Sequence, residues 1–217
     1  MNKNDALSHV DHTLLKATAT WDDIKKLCGE ALTFGTASVC IPPSYVKRAH
    51  EAFAGLNVCT VIGFPLGYST TAAKVAEAAE ALKNGAQEID MVVNLGWVKD
   101  GLFDPVTAEI KALKGLTGTR VLKVIVETCY LTEDEKIALC QCVTEGGADY
   151  IKTSTGFGPL GAQLQDMLLF KQHIGPHVKI KASGGIRTRE EIEAFLAAGA
   201  DRIGASSAIK AYESAQT

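Results

Sequence analysis

No stretch of eighteen apolar residues occurs anywhere in this 217-residue chain, so it offers no candidate for a membrane-spanning helix. Its first residues, Met1-Asn-Lys-Asn-Asp-Ala-Leu7, lack the apolar segment of a secretory signal. Basic clusters are missing too: 22 lysines and arginines stand against 25 acidic residues, a formal net charge of -3. A surface for nucleic acid or anionic lipid is therefore not expected. A small phosphorylated metabolite is not excluded, because it needs only one local anion site. The six cysteines, at 28, 40, 59, 129, 140 and 142, have no zinc-ligand spacing and mostly sit inside apolar patterns. A chain of this size does not need disulfides to hold its core. The expectation is reduced thiols, no metal, no cofactor and a cytoplasmic location.

What the chain does have is alternation. Short β-branched runs at His9–Thr13, Ala37–Ile41, Val58–Gly63, Glu88–Asn94, Val121–Glu127, Tyr150–Thr153, Val178–Ala182 and Arg202–Ala205 read as strands. Longer amphipathic segments lie between them, for example Thr71–Asn84, Glu133–Glu145, Gly161–His173 and Arg189–Ala198. A phrase recurs where helix gives way to strand: Gly85-Ala-Gln, Gly147-Ala-Asp, Gly199-Ala-Asp and, more loosely, Gly35-Thr-Ala. Glycine closes the helix in a left-handed conformation, and alanine fits the tight approach of helix to sheet. Eight such βα units predict a (β/α)8 TIM barrel, as one domain over residues 1–217. An open doubly wound sheet is the runner-up, but no Gly-x-Gly-x-x-Gly follows the first strand.

In such a barrel the chemistry sits at the C-terminal ends of the strands, here Asp11, Cys40, Phe64, Asn94, Glu127, Lys152, Lys181 and Ser206. Alternation with period two then sorts side chains into two sets. In Tyr150-Ile-Lys152 and Val178-Lys-Ile-Lys181, the isoleucines face the helices and Lys152 and Lys181 face the barrel interior. Asp90 on strand four, and Lys123 and Glu127 on strand five, share that inward parity. A lone lysine is nearly always a surface residue, but three lysines and an aspartate inside apolar strands need pairing to be buried. A structural ion network satisfies that need. So does an active site, in which a lysine beside another cation sheds its proton and becomes a nucleophile. Spacing does not decide which of Lys152 and Lys181 would attack. Cys40 and Cys59 read as core residues, and His12 as facing outward.

Glycine-rich loops follow the last strands: Gly184-Gly185 after strand seven and Gly204-Ala-Ser206-Ser207 after strand eight. Backbone N–H groups at these positions form the phosphate site common in the fold, and Gly156 after Lys152 would add a third edge. Ordinary tight turns and N-caps are the plainer alternative for each taken singly.

With these residues in place, the chain resembles the deoxyribose-phosphate aldolase family over nearly its full length. The matching phrases include Asp11-His-Thr-Leu-Leu-Lys16, Val61-Ile-Gly-Phe-Pro-Leu-Gly67, Glu88-Ile-Asp-Met-Val-Val-Asn94, Asp149-Tyr-Ile-Lys-Thr-Ser-Thr-Gly156, Lys181-Ala-Ser-Gly-Gly-Ile-Arg187 and Gly204-Ala-Ser-Ser207. The resemblance implies a metal-independent class I aldolase that reversibly cleaves 2-deoxy-D-ribose 5-phosphate to glyceraldehyde 3-phosphate and acetaldehyde. It implies Lys152 as the Schiff-base lysine and Lys181 as the second lysine, which eases deprotonation of the first. Asp90 becomes the acid/base carboxylate, acting with Lys181 and a water, while Lys123 and Asp11 support the cluster. A homodimer is implied as well. Two departures stand out. Some relatives carry a lysine after the glycine matching Gly156, where this chain has Phe157, which shifts phosphate neutralisation toward helix dipoles and Arg187. Some relatives also end in a tyrosine that reaches the site, whereas Tyr212 is the tyrosine nearest this chain's end, and no catalytic role is assigned to the tail. A barrel isomerase using carboxylates, and a sugar-phosphate sensor without turnover, remain the competing readings.

Overall fold

Alternation in the strands predicts two separate interiors, and the computed structural model, which describes residues 1–214, contains both. Residues 215–217, the end of the tail without an expected role, lie outside the described residues. Eight parallel strands close into a barrel in sequence order. They are β1 (Val10–Thr13), β2 (Ser38–Ile41), β3 (Val58–Ile62), β4 (Glu88–Val92), β5 (Val121–Ile125), β6 (Tyr150–Lys152), β7 (Lys179–Ser183) and β8 (Arg202–Ala205). The helices are α1 (Lys3–Leu7), α2 (Trp21–Phe34), α3 (Val46–Ala52), α4 (Thr71–Lys83), α5 (Leu95–Lys99), α6 (Phe103–Thr117), α7 (Glu133–Glu145), α8 (Leu164–His173), α9 (Arg189–Ala197) and α10 (Ala208–Ser214). The chain is thus a (β/α)8 barrel.

The outward side chains of the strands, among them Val39, Ile62, Ile89, Met91, Leu122, Val124, Ile151, Ile180 and Ile203, join the inner faces of the helices in one continuous apolar layer. Burial of that layer drives closure. His12 belongs to this outer side, as its parity requires: its Nε2 lies 2.8 Å from Glu30 Oε2 on α2. Helix starts are written locally, with reciprocal capping boxes at Thr20/Asp23, Thr132/Glu135 and Thr188/Glu191. The repeated phrase has the predicted geometry. Gly147 and Gly199 have φ of 73° and 107°, and the alanines after them, Ala148 and Ala200, are buried against the sheet. The inward residues form a second, much smaller apolar cluster of Cys40, Cys59 and Val61 under Leu15 and Phe64, and beside it a set of charges. All six cysteines are free thiols.

Several element ends differ from the sequence reading. β4 stops at Val92, because Asn94 turns to cap α5 by accepting from Trp97 N. β5 stops at Ile125, because Glu127 adopts a left-handed conformation. The helix expected over Gly161–His173 begins only at Leu164. Ala162 N instead donates to the carbonyls of Ser183 and Gly184, tying this segment to the end of β7.

Candidate active site

Strand register brings the inward charges together. Lys152 pairs in register with Lys181, Asp90 with Lys123, Lys181 with Arg202, and Asp11 with Gly204. The Asp90 carboxylate is the meeting point. Its Oδ1 accepts from Lys123 Nζ at 2.8 Å and from Cys59 Sγ at 3.2 Å. Its Oδ2 accepts from Lys152 Nζ at 2.8 Å and Lys181 Nζ at 2.7 Å. One layer deeper, Asp11 accepts from Lys181, from Arg202 at 2.5 Å and from the Ser38 hydroxyl at 2.7 Å. Glu88 lies 2.5 Å from Lys123 and 3.2 Å from Arg202, and accepts from Asn57 at 2.8 Å.

Asp11, Asp90, Lys123 and Lys181 are fully buried, so pairing decides their charge. Burial alone would raise the Asp90 and Asp11 carboxyls, but the surrounding lysines, with Arg202 beside Asp11, hold both well below the usual carboxylate range. Burial alone would likewise strip Lys123 and Lys181, yet Asp90 and Asp11 hold both ammonium groups above the ordinary lysine value. Four basic side chains, Lys123, Lys152, Lys181 and Arg202, face three acidic ones, Asp11, Glu88 and Asp90. Lys152 has one carboxylate partner, Lys181 two and Lys123 three, so Lys152 is the least tied down of the three. The donor trio Cys40, Cys59 and Asp90 has metal-binding spacing. Lys123 already places a cation against two of its members, 3.3 Å from Cys59 Sγ and 2.8 Å from Asp90.

Above the cluster opens a cavity of about 390 Å³. Of the three clustered lysines, Lys152 lines it, together with Gly156, Gly184, Gly185, Gly204 and Ser206. Lys16 and Arg187 bring positive charge to its wall, and Phe157, packed edge-on against Phe64 at 5.3 Å, forms another side. Gly184 is needed for a close approach as well as for its φ of 83°. A Cβ there would lie 3.1 Å from Gly161 Cα and 3.4 Å from Gly156 Cα, so the loops after β6 and β7 meet glycine on glycine. Gly204 makes room for the cluster, since a Cβ would reach Ser183 Cβ at 2.9 Å and Lys181 Cε at 3.2 Å. Ser207 stands apart. It lines a neighbouring groove of about 540 Å³, shared with Arg187, Lys210 and Ser206, and its hydroxyl donates to Arg187 O at 3.3 Å.

Sequence reasoning missed Glu88, Arg202 and Lys16. Strand parity carried the first two, because Glu88 lies two residues from Asp90 and Arg202 two from Gly204. Lys16 lies beyond β1 in a loop, where no periodicity assigns a direction.

Buried lysines around the mid-strand Asp90 carboxylate, opening to a glycine-walled cavity, are the arrangement a barrel aldolase requires. The model of the DeoC/LacD family aldolases matches residues 5–213. The chain belongs to that family. Among its relatives, a deoxyribose-phosphate aldolase of Clostridium botulinum is 58% identical, covering 100% of this chain and 99% of that one. Another, of Clostridioides difficile, is 57% identical and covers 97% of each. Among solved structures, the tetrameric deoxyribose phosphate aldolase from Aeropyrum pernix superimposes with a TM-score of 0.89 at 33% identity, covering 100% of this chain and 93% of that one.

Proposed function

We propose that this protein cleaves 2-deoxy-D-ribose 5-phosphate reversibly into D-glyceraldehyde 3-phosphate and acetaldehyde, through a Schiff base on Lys152. The observation that carries this reading is the position of Lys152, which alone among the three clustered lysines lines the cavity and has the fewest carboxylate partners. Lys123 and Lys181, both held charged by buried carboxylates, are poor nucleophiles and serve as the neighbouring cations.

The uncharged Lys152 amine adds to the C1 aldehyde of the open-chain sugar, and water leaves to give a protonated imine. That cation accepts the electron pair of the C2–C3 bond when the C3 hydroxyl loses its proton. In this reading that proton passes to Asp90, 2.8 Å from Lys152 and 2.7 Å from Lys181, by a relay through Lys181 and a water. Glyceraldehyde 3-phosphate departs, leaving an enamine on Lys152. Protonation at C2 and hydrolysis of the imine release acetaldehyde and restore the lysine. The phosphate lies against Gly156, Gly184, Gly185 and Ser206, with Lys16 and Arg187 supplying positive charge where Phe157 supplies none. Its binding energy is remote from the reacting carbons and fixes their orientation.

A coupled assay for glyceraldehyde 3-phosphate tests the reading. Turnover that disappears in Lys152→Leu is expected. Binding without cleavage would favour a sensor, and isomerisation without cleavage a carboxylate-based isomerase. A homodimer in the cytoplasm belongs to the same reading. Light scattering checks the assembly, and a tetramer like that of the Aeropyrum pernix relative would replace it.

A further inference from the structure

Glu127 has a role that the lysine cluster does not explain. It is the one non-glycine residue with positive φ among the described residues, at 54°. A side chain in that region is strained, and glycine would relieve the strain, so the surroundings must hold it there. On either side of it, Val126 N donates to Lys152 O at 3.0 Å and Thr128 N to Thr153 O at 2.9 Å. Both backbone neighbours thus grip the end of β6, and the turn between them directs the Glu127 carboxylate at the following loop. There it accepts from Thr155 N at 3.1 Å and from the Thr155 hydroxyl, and the carboxylate is buried. The Thr155 hydroxyl oxygen in turn accepts from Phe157 N at 3.0 Å. From the opposite side, the Ser183 hydroxyl donates to Ser154 O at 2.6 Å. Thr155, Gly156 and Phe157 are one wall of the cavity, and Gly184 and Gly185 are the next.

We propose that Glu127 is a positioning residue that sets specificity for the phosphorylated substrate: its carboxylate fixes the Thr155–Phe157 turn so that the Gly156 edge meets the anion held by Gly184, Gly185 and Ser206. This inference rests on the aldolase reading above, because it assigns Glu127 to the phosphate end of that substrate. Glu127 stays outside the reacting atoms. It lines a separate small groove with Tyr130, Thr155 and Phe157 rather than the Lys152 cavity.

The test compares Glu127→Gln and Glu127→Gly with the wild type, using 2-deoxy-D-ribose 5-phosphate and unphosphorylated 2-deoxy-D-ribose. Gln keeps the shape but turns one acceptor into a donor, and Gly removes both the carboxylate and the strain. The expected result is a rise of roughly tenfold in KM for the phosphorylated sugar in both variants, the cost of one lost charge-assisted hydrogen bond. kcat/KM for the unphosphorylated sugar stays within about twofold of wild type, as does imine formation with acetaldehyde. An unchanged ratio between the two sugars in both Glu127 variants would overturn the proposal. So would an equal loss on both sugars, since Glu127 would then only support the Lys152 strand. Failure of the wild type to cleave either sugar is a different outcome and removes the aldolase reading itself.

Discussion

Asp90→Asn changes the charge of the cluster without changing its shape, and the structure sets bounds on the consequence. The carboxylate accepts from three lysine Nζ groups and one thiol, through both oxygens. An asparagine keeps one oxygen, which serves best facing Lys152 and Lys181. Its amide nitrogen then points at Lys123, which retains Glu88 at 2.5 Å and Asp11 at 3.5 Å. The interior loses one negative charge. Breaking a buried ion pair by removing one partner costs about 3–5 kcal/mol. The loss has a ceiling, because a lysine can shed its proton instead. From the ordinary value of 10.5, that costs about 5 kcal/mol at pH 7 and about 1.4 kcal/mol less for each pH unit above it. For a chain of this length the melting temperature should fall by about 10 °C at pH 7. The gap to wild type should narrow as the pH rises toward 9. Single-turnover cleavage, measured at a temperature where the variant is folded, should slow by roughly 10²–10⁴ from loss of the proton acceptor, with substrate still bound. A variant that melts within 2 °C of wild type and cleaves at the same rate would refute both the ion network and the proton-transfer role.

Stability itself should show two limbs. Asp11 and Asp90 lie below their ordinary 3.8, so their contribution is complete above that pH and is lost as the pH falls further. Lys123 and Lys181 lie above 10.5, so theirs is complete below that pH and is lost on raising it. Urea midpoints should therefore be nearly level from about pH 5 to about pH 10, and a steep slope across neutrality would contradict the cluster's charge states. Gly204→Ala forces a Cβ to 2.9 Å from Ser183 Cβ and 3.2 Å from Lys181 Cε. It should lose about 1–3 kcal/mol in urea melts and slow cleavage as Lys181 shifts, and wild-type values for both would contradict the packing. Phe157 is 56% exposed at the cavity wall, so Phe157→Lys adds a charge in near-water dielectric. It should lower KM for the phosphorylated sugar about fivefold at low salt and less at high salt, and no change at low salt would move the phosphate elsewhere.

Much of this architecture was legible because barrel periodicity acts on every strand alike. The helix-closing Gly-Ala phrases marked the βα units, and period two placed Asp90, Lys123, Lys152 and Lys181 in one interior before any contact was known. The same rule reached Glu88 and Arg202, but they lie at strand starts, far from the ends that attract attention as active-site positions. What periodicity could not reach lies in loops. Lys16, the late start of α8 and the separation of Ser207 from Ser206 depend on non-local contacts, such as Ala162 N with the Ser183 and Gly184 carbonyls. The reversed backbone at Glu127 left no trace in composition, because glycine rather than glutamate is the usual sign of positive φ. Spacing left open which lysine attacks. The count of carboxylate partners and the cavity lining support the proposal that it is Lys152.

The proposed aldolase chemistry stands on Lys152 forming the covalent bond to the substrate carbonyl. Borohydride reduction in the presence of acetaldehyde, followed by peptide mass spectrometry, tests it directly. A stable ethyl adduct on Lys152, lost in Lys152→Leu and not transferred to Lys181 or Lys123, is the predicted result. An adduct on Lys181, or full aldol cleavage with no adduct on any lysine, would contradict it.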